Sequence, residues 1–125
     1  MQHFDCQIHH SDGVSWASCA GDFDCVLPTD VRETLLAAAR VNQHRLVLDL
    51  TDVSYILSLG LGQLFALAEI LRRNGGALIL VCPPGNVARL LQVSGIDSSA
   101  TSLRMYESLQ TALSAVSPAR GSSSD

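Results

Sequence analysis

The stretch that decides the fold is HRLVLDLTDVSYILSLGLGQLFAL, residues 44–67. It contains LVLDL, a run with few polar residues, which reads as a strand covered on both faces in the middle of a sheet. Further on the period changes. Leu61, Leu64, Phe65, Leu67, Ala68 and Leu71 recur at helical spacing. Ser58 comes a few residues after the strand, where the helix begins and just ahead of Gly60-Leu61-Gly62. A strand feeding a helix predicts a crossover unit of a parallel sheet, and in such sheets function gathers beyond the carboxyl ends of the strands.

Downstream, Asn74-Gly75-Gly76 stops the helix, and Glu69 stands at pairing distance from Arg72 and Arg73. ALILVC is a second buried strand and PPGN a turn. VARLLQVSGI is a short helix with Val87, Leu90 and Leu91 inward and Gly95 at its end. SLRMYE is a weaker strand, and Leu109, Ala112, Leu113 and Val116 mark a last helix.

Upstream, Phe4, Cys6 and Ile8 alternate onto one side of a strand. HSDG is a turn, and Val14, Trp16, Ser18 and Ala20 share one face of the next strand, which together make an opening hairpin. Pro28, Asp30 and Glu33 suit a helix start, and Val31, Leu35, Ala38 and Ala39 form its apolar stripe. The predicted fold is α/β: a mixed, mostly parallel sheet of about five strands with about four helices, the N-terminal hairpin supplying the antiparallel pair.

The 125 residues fit one domain, over 1–116, and the polar tail SPARGSSSD, 117–125, is expected to be disordered. No run approaches the roughly 18 apolar residues of a membrane span. The N-terminus lacks a basic start followed by an apolar stretch, so no signal peptide is expected, and a soluble, cytoplasmic protein is. The net charge of −4, with no basic block, argues against a nucleic-acid partner. Cys6, Cys19, Cys25 and Cys82 include no C-x-x-C pair and no histidine at finger spacing, so they read as small apolar fillers or surface thiols rather than metal ligands. His9 and His10 read as solvent-facing residues of a polar turn, their side chains diverging too far to share a metal.

Four readings compete for Ser58. A hydrolase nucleophile needs G-x-S-x-G, but Ile56 fills the first glycine position, and no histidine lies downstream of His44. Dinucleotide binding has half its pattern in GLGQLF, which ends in Phe65 instead of glycine and has no acid about 20 residues on. A phosphate-bearing ligand at the helix start stays open as a minor reading. A helix cap suits serine, although Leu61 leaves no capping box. A phosphoacceptor suits the place as well. An added phosphate there meets free amides and the positive end of the helix dipole, so the fold tolerates it while a partner docked on Leu57, Leu59 and Leu61 does not.

The segment from Leu46 to Ile96 resembles the core of a STAS domain, the fold of bacterial anti-sigma factor antagonists. That family reads D-L-(S/T)-x-V, then (I/F)-D-S-(S/A)-G-L at a helix start, a GG stop, a strand, a Pro-containing turn and a short helix ending in G-(I/L). Asp49, Leu50, Thr51, Val53, Ile56, Ser58, Gly60, Leu61, Gly75, Gly76, Gly95 and Ile96 fall on those places. GDFD, residues 21–24, resembles the family's earlier G-(E/D)-L-D. The resemblance implies a non-enzymatic switch without cofactor. Its partner would be a serine kinase that is also an anti-sigma factor, which phosphorylates Ser58 and is thereby released. A metal-dependent serine phosphatase would reverse the step, and ATP and magnesium would belong to the kinase. It implies a partner surface around Leu57, Ser58, Leu59, Gly60, Leu61 and Gly62, with Gly60 and Gly62 admitting a partner's backbone and Asp22 and Asp24 bordering it. A homodimer stays open. The family's aspartate before the serine is Leu57 here, which keeps a second reading in play: a divergent scaffold or subunit, stressosome-like, in another signalling pathway or docked on a transport ATPase, and not controlled by phosphate.

Overall fold

The computed structural model describes residues 3–11, 13–95 and 103–116. The elements run β1 (Asp5–Ser11), β2 (Val14–Phe23), α1 (Thr29–Val41), β3 (Arg45–Ile56), α2 (Ser58–Arg73), β4 (Ala77–Val81), α3 (Asn86–Ser94), β5 (Leu103–Tyr106) and α4 (Leu109–Val116). The sheet has five strands in the order β1-β2-β3-β4-β5. β1 and β2 pair antiparallel, and β2-β3, β3-β4 and β4-β5 pair parallel. This is the mixed α/β architecture expected from the sequence. The expected tail, 117–125, and Ile96 lie outside the described residues.

Each sheet face has its own core. On one face Leu46, Leu48 and Leu50 of β3 meet Leu35 and Ala39 of α1, Leu64, Leu67 and Leu71 of α2, and Ala88 and Leu91 of α3. On the other, Val47, Ile79 and Val81 meet Ala112 and Val116 of α4. Trp16 and Val14 belong to that second face, while Ala17 and Cys19 of the same strand point into the first, as strand alternation requires. Phe4 lies flat on Phe23, ring centroids 4.0 Å apart, and ties the start of the chain to the end of β2.

β3 is longer than LVLDL. It continues through Thr51 to Ile56, and only Leu57 separates it from α2. Its first half lies between two strands, since Arg45–Asp49 pairs with Ala77–Val81 of β4. Its second half pairs with β2 alone. There the register slips twice: Ser18 faces Asp49 but Ala20 faces Asp52, and Gly21 faces Val53 but Asp22 faces Tyr55. Each slip gives β3 one extra residue, a β-bulge. The buried side chains Leu50, Val53 and Ile56 therefore recur every three residues instead of every two. The carboxylate of Asp49 fixes the first slip by accepting the amide N–H (3.0 Å) and the hydroxyl of Thr51.

Three local readings change. Leu90 is exposed, and Ala88 and Leu91 fill the inward places of α3, because residues three apart share a helix face. Phe65 of α2 is also partly exposed, at 37 %. His9 and His10 lie in β1 rather than in a turn: His9 Nε2 is 2.8 Å from Ser18 Oγ with its ring stacked on Trp16, and His10 Nδ1 is 2.6 Å from Ser15 Oγ. The stop after α2 is tight. Gly75 has φ +81, the Gly76 amide donates to Leu71 O (2.8 Å), and a Cβ on Gly76 would strike the His44 carbonyl.

Candidate functional site

The parallel strands β2 and β3 end side by side, at Phe23 and Ile56. The chain leaving β2 supplies Asp24, Cys25 and Val26, and the chain leaving β3 supplies Leu57 and the first turn of α2. Two hydrogen bonds join them. Leu57 N–H donates to Phe23 O (3.1 Å), and Leu27 N–H donates to Gln63 Oε1 (3.0 Å). The β2-α1 loop is thus fastened to α2 at both its beginning and its end.

Ser58 is exposed, but it is not the cap. Leu57, extended at φ −111° and ψ −175°, occupies the N-cap position, Ser58 is the first helical residue, and no side chain caps this end. The reason is the length of β3: paired through Ile56, it leaves a single residue for the turn. The first intrahelical bond runs from Leu61 N–H to Leu57 O (2.9 Å). The amides of Ser58, Leu59 and Gly60 precede it, and with the dipole they make this end receptive to an anion.

The neighbours of Ser58 divide by burial. Leu57 and Leu59 are 47 % and 52 % exposed, and Val26 across the loop is 61 % exposed. Leu61 is half-buried and packs against the core. Gly60 is buried, and a Cβ there would lie 2.2 Å from the Phe23 carbonyl oxygen and 2.8 Å from its ring. The space beside Gly60 belongs to Phe23, so this glycine lets strand β2 approach rather than a partner's backbone. Gly62 is the opposite case. It is exposed, one helical turn beyond Ser58 on the same face, with nothing within 4 Å of the Cβ position.

Asp22 is half-buried opposite Tyr55, and Asp24 is exposed, its amide donating to Asp22 O (3.1 Å). Partial desolvation, then the neighbouring carboxylates, Asp22 ahead of Asp24, push the Tyr55 phenol up. The backbone so brings Asp22 and Asp24 alongside Tyr55–Leu57, next to the serine. Sequence reasoning missed Tyr55, which is 38 % exposed and extends the apolar rim, and Gln63, which holds the loop. The signal for Tyr55 was an aromatic in a polar stretch just before the serine; Gln63 had none.

This geometry also bears on the enzyme and nucleotide readings. A nucleophile elbow holds its serine in a strained turn. Among the described residues the only non-glycines with positive φ are Gln43 and His44, far along the chain from Ser58. GLGQLF, meanwhile, lies inside α2 and not in a loop preceding it, so it cannot wrap a phosphate. Among the described residues no group of three or more His, Cys, Asp or Glu is placed to hold a metal, and no helix is long and apolar enough to cross a membrane.

A strand, a one-residue turn and a helix thus place an exposed serine between two exposed leucines. The chain belongs to the STAS domain family, whose family model matches residues 5–112. It is similar to the crystal structure of an anti-sigma factor antagonist from Mycobacterium paratuberculosis, with 28 % identity and a TM-score of 0.73 over 91 % of this chain and 94 % of that one. The fold also recurs in an anti-sigma-factor antagonist (STAS) domain protein from Planctomyces limnophilus, at 19 % identity and a TM-score of 0.59 over 87 % of this chain and 96 % of that one.

Proposed function

We propose that this chain is a non-enzymatic regulator that works by binding another protein through the start of α2, and that phosphorylation of Ser58 ends the binding. The observation that carries the reading is the exposed Ser58 hydroxyl between the exposed Leu57 and Leu59. A phosphate adds about −1.5 to −2 charge at neutral pH. At the first helical position that charge meets free amides and the positive dipole end, so the domain stays folded. Against an apolar partner surface pressed on the two leucines, the same charge must be desolvated, and the complex comes apart.

The partner class that fits is a serine kinase acting as an anti-sigma factor, with a metal-dependent serine phosphatase restoring the binding form. Asp22 and Asp24, beside Tyr55, would border the contact, and Gly62 would let the partner's backbone reach α2 closely. Leu57, in the family's aspartate position, favours a second reading, a scaffold whose docking is constitutive and whose apolar rim is wider by one residue. Calorimetric titration of the partner kinase with the wild type, Ser58→Ala and Ser58→Asp separates the two. A switch binds as wild type and Ser58→Ala, and loses affinity with Ser58→Asp. A scaffold binds all three alike. Intact-mass analysis of protein from its native cells should show one added phosphate mapped to Ser58, and its absence under every growth condition would refute the switch.

A further inference from the structure

Cys6 and Cys19 are direct partners in the antiparallel register of β1 and β2. Opposed residues of such a pair point to the same sheet face with Cα atoms about 4.5–5.5 Å apart, within the about 4.4–6.8 Å a disulfide needs. Their sulfurs are 3.2 Å apart, already in contact. Nothing in the partner-binding reading uses them. We propose that Cys6 and Cys19 form a reversible intramolecular disulfide under peroxide stress.

The two thiols have unequal roles. Cys6 lies half-buried on the edge strand, while Cys19 is 2 % exposed beneath it. An oxidant therefore reaches Cys6 first. The Cys19 thiol hydrogen-bonds to Cys6, which draws the Cys6 thiol below its ordinary value despite its partial burial and the nearby Asp5 carboxylate. The same bond, burial and the neighbouring charges of Cys6, Asp49 and Asp5 hold the Cys19 proton on. The Cys6 thiolate attacks one oxygen of hydrogen peroxide, the O–O bond breaks, and hydroxide leaves; Cys6 becomes a sulfenic acid. Cys19 sulfur then attacks the Cys6 sulfur, the S–O bond breaks, and the hydroxyl departs with the Cys19 proton as water. The hydroxide from the first step takes up the proton that Cys6 had released. Two thiols and one peroxide give one disulfide and two waters, sulfur being oxidised and peroxide oxygen reduced.

Cys25 and Cys82 serve as internal controls. Desolvation first, then the Asp24 carboxylate and Cys6, raise the Cys25 thiol, and burial together with Asp49 raises Cys82. The test uses the full reduced chain, titrated with hydrogen peroxide, quenched with an alkylating agent under denaturing conditions and mapped without reduction. The expected result is a monomer that carries two alkyl groups where the reduced chain carries four. Its Cys6 and Cys19 peptides are joined, Cys25 and Cys82 remain alkylated, and dithiothreitol restores all four thiols. Cys19→Ser should leave a Cys6 sulfenic acid that dimedone traps. The wild-type map decides even if that variant folds poorly. A Cys6-Cys25 link, disulfide-joined dimers, or free Cys6 and Cys19 at doses that oxidise Cys25 would each overturn the proposal.

Discussion

The two halves of β3 obey different rules. From Arg45 to Leu50 the strand lies inside the sheet, with Leu46, Val47, Leu48 and Leu50 almost wholly buried and shared between two cores. From Thr51 to Ile56 it runs past the end of β4 and keeps only β2 as a neighbour, burying Val53 and Ile56 alone. The inner half holds the domain together. The outer half carries the turn on which Ser58 stands. Structural rigidity and surface display are thus assigned to successive segments of one strand.

The largest expected effect falls on the inner half. Leu48→Ala removes a side chain 2 % exposed and should cost about 2–5 kcal/mol in chemical denaturation. Tyr55→Ala, in the outer half, should cost clearly less, because its side chain is 38 % exposed. Equal costs would erase the distinction between the halves. Next come the two glycines of α2. Gly60→Ala forces a methyl against the backbone of Phe23 and should destabilise by about 2 kcal/mol or more. Gly62→Ala fills open space in a helix and should stabilise by about 0.5–1 kcal/mol while weakening the partner complex. If both glycines tolerate alanine, the close approach of β2 to α2 is not what Gly60 serves.

Ser58→Asp should leave the denaturation midpoint within the equivalent of about 0.5 kcal/mol and reduce partner affinity by more than about tenfold. A large stability loss would mean that Ser58 has a structural duty the exposed hydroxyl does not suggest. The smallest effect belongs to the far end of α2. Glu69 accepts from Arg72 (2.7 and 3.0 Å) and Arg73 (3.1 Å), chiefly the former, which lowers its carboxyl from 4.5 to about 2. A lowered folded-state pKa means the contribution is present above the unfolded value and fades as pH falls from 4.5 through about 2. The pair is solvent-exposed, so the wild type should exceed Glu69→Gln only slightly at neutral pH, and the gap should close on acidification. A gap that widens toward acid would reverse the assignment.

Much of the inner architecture was legible in the sequence because its apolar residues keep a single period. LVLDL and ALILV are strands without ambiguity, and Leu64, Leu67 and Leu71 can only be one helix face. The outer half of β3 was not legible, since two bulges turn its buried spacing from two to three, and Leu50, Val53 and Ile56 then imitate no strand. That mismatch also displaced the helix cap from Ser58 to Leu57. The exposure of Leu57 and Leu59 followed from their place beside the serine, whereas the different duties of Gly60 and Gly62 depend on where Phe23 lies, which no local pattern records. Leu90 was misjudged for a simpler reason: leucine spacing in a nine-residue helix allows two rotations, and Ala88, small and unobtrusive, marks the inward one.

The slips in the pairing of β3 with β2 have a further consequence. Bulges bend and over-twist the strand that contains them. The stretch from Thr51 to Ile56 runs on beyond the last β4 pair, and a flat strand left without a neighbour invites foreign chains to add themselves by backbone pairing. Coiled by its extra residues and carrying Asp52 outward, this one makes a poor template. The irregularity that hides the strand from a reader of the sequence guards the domain against clumping with its own kind.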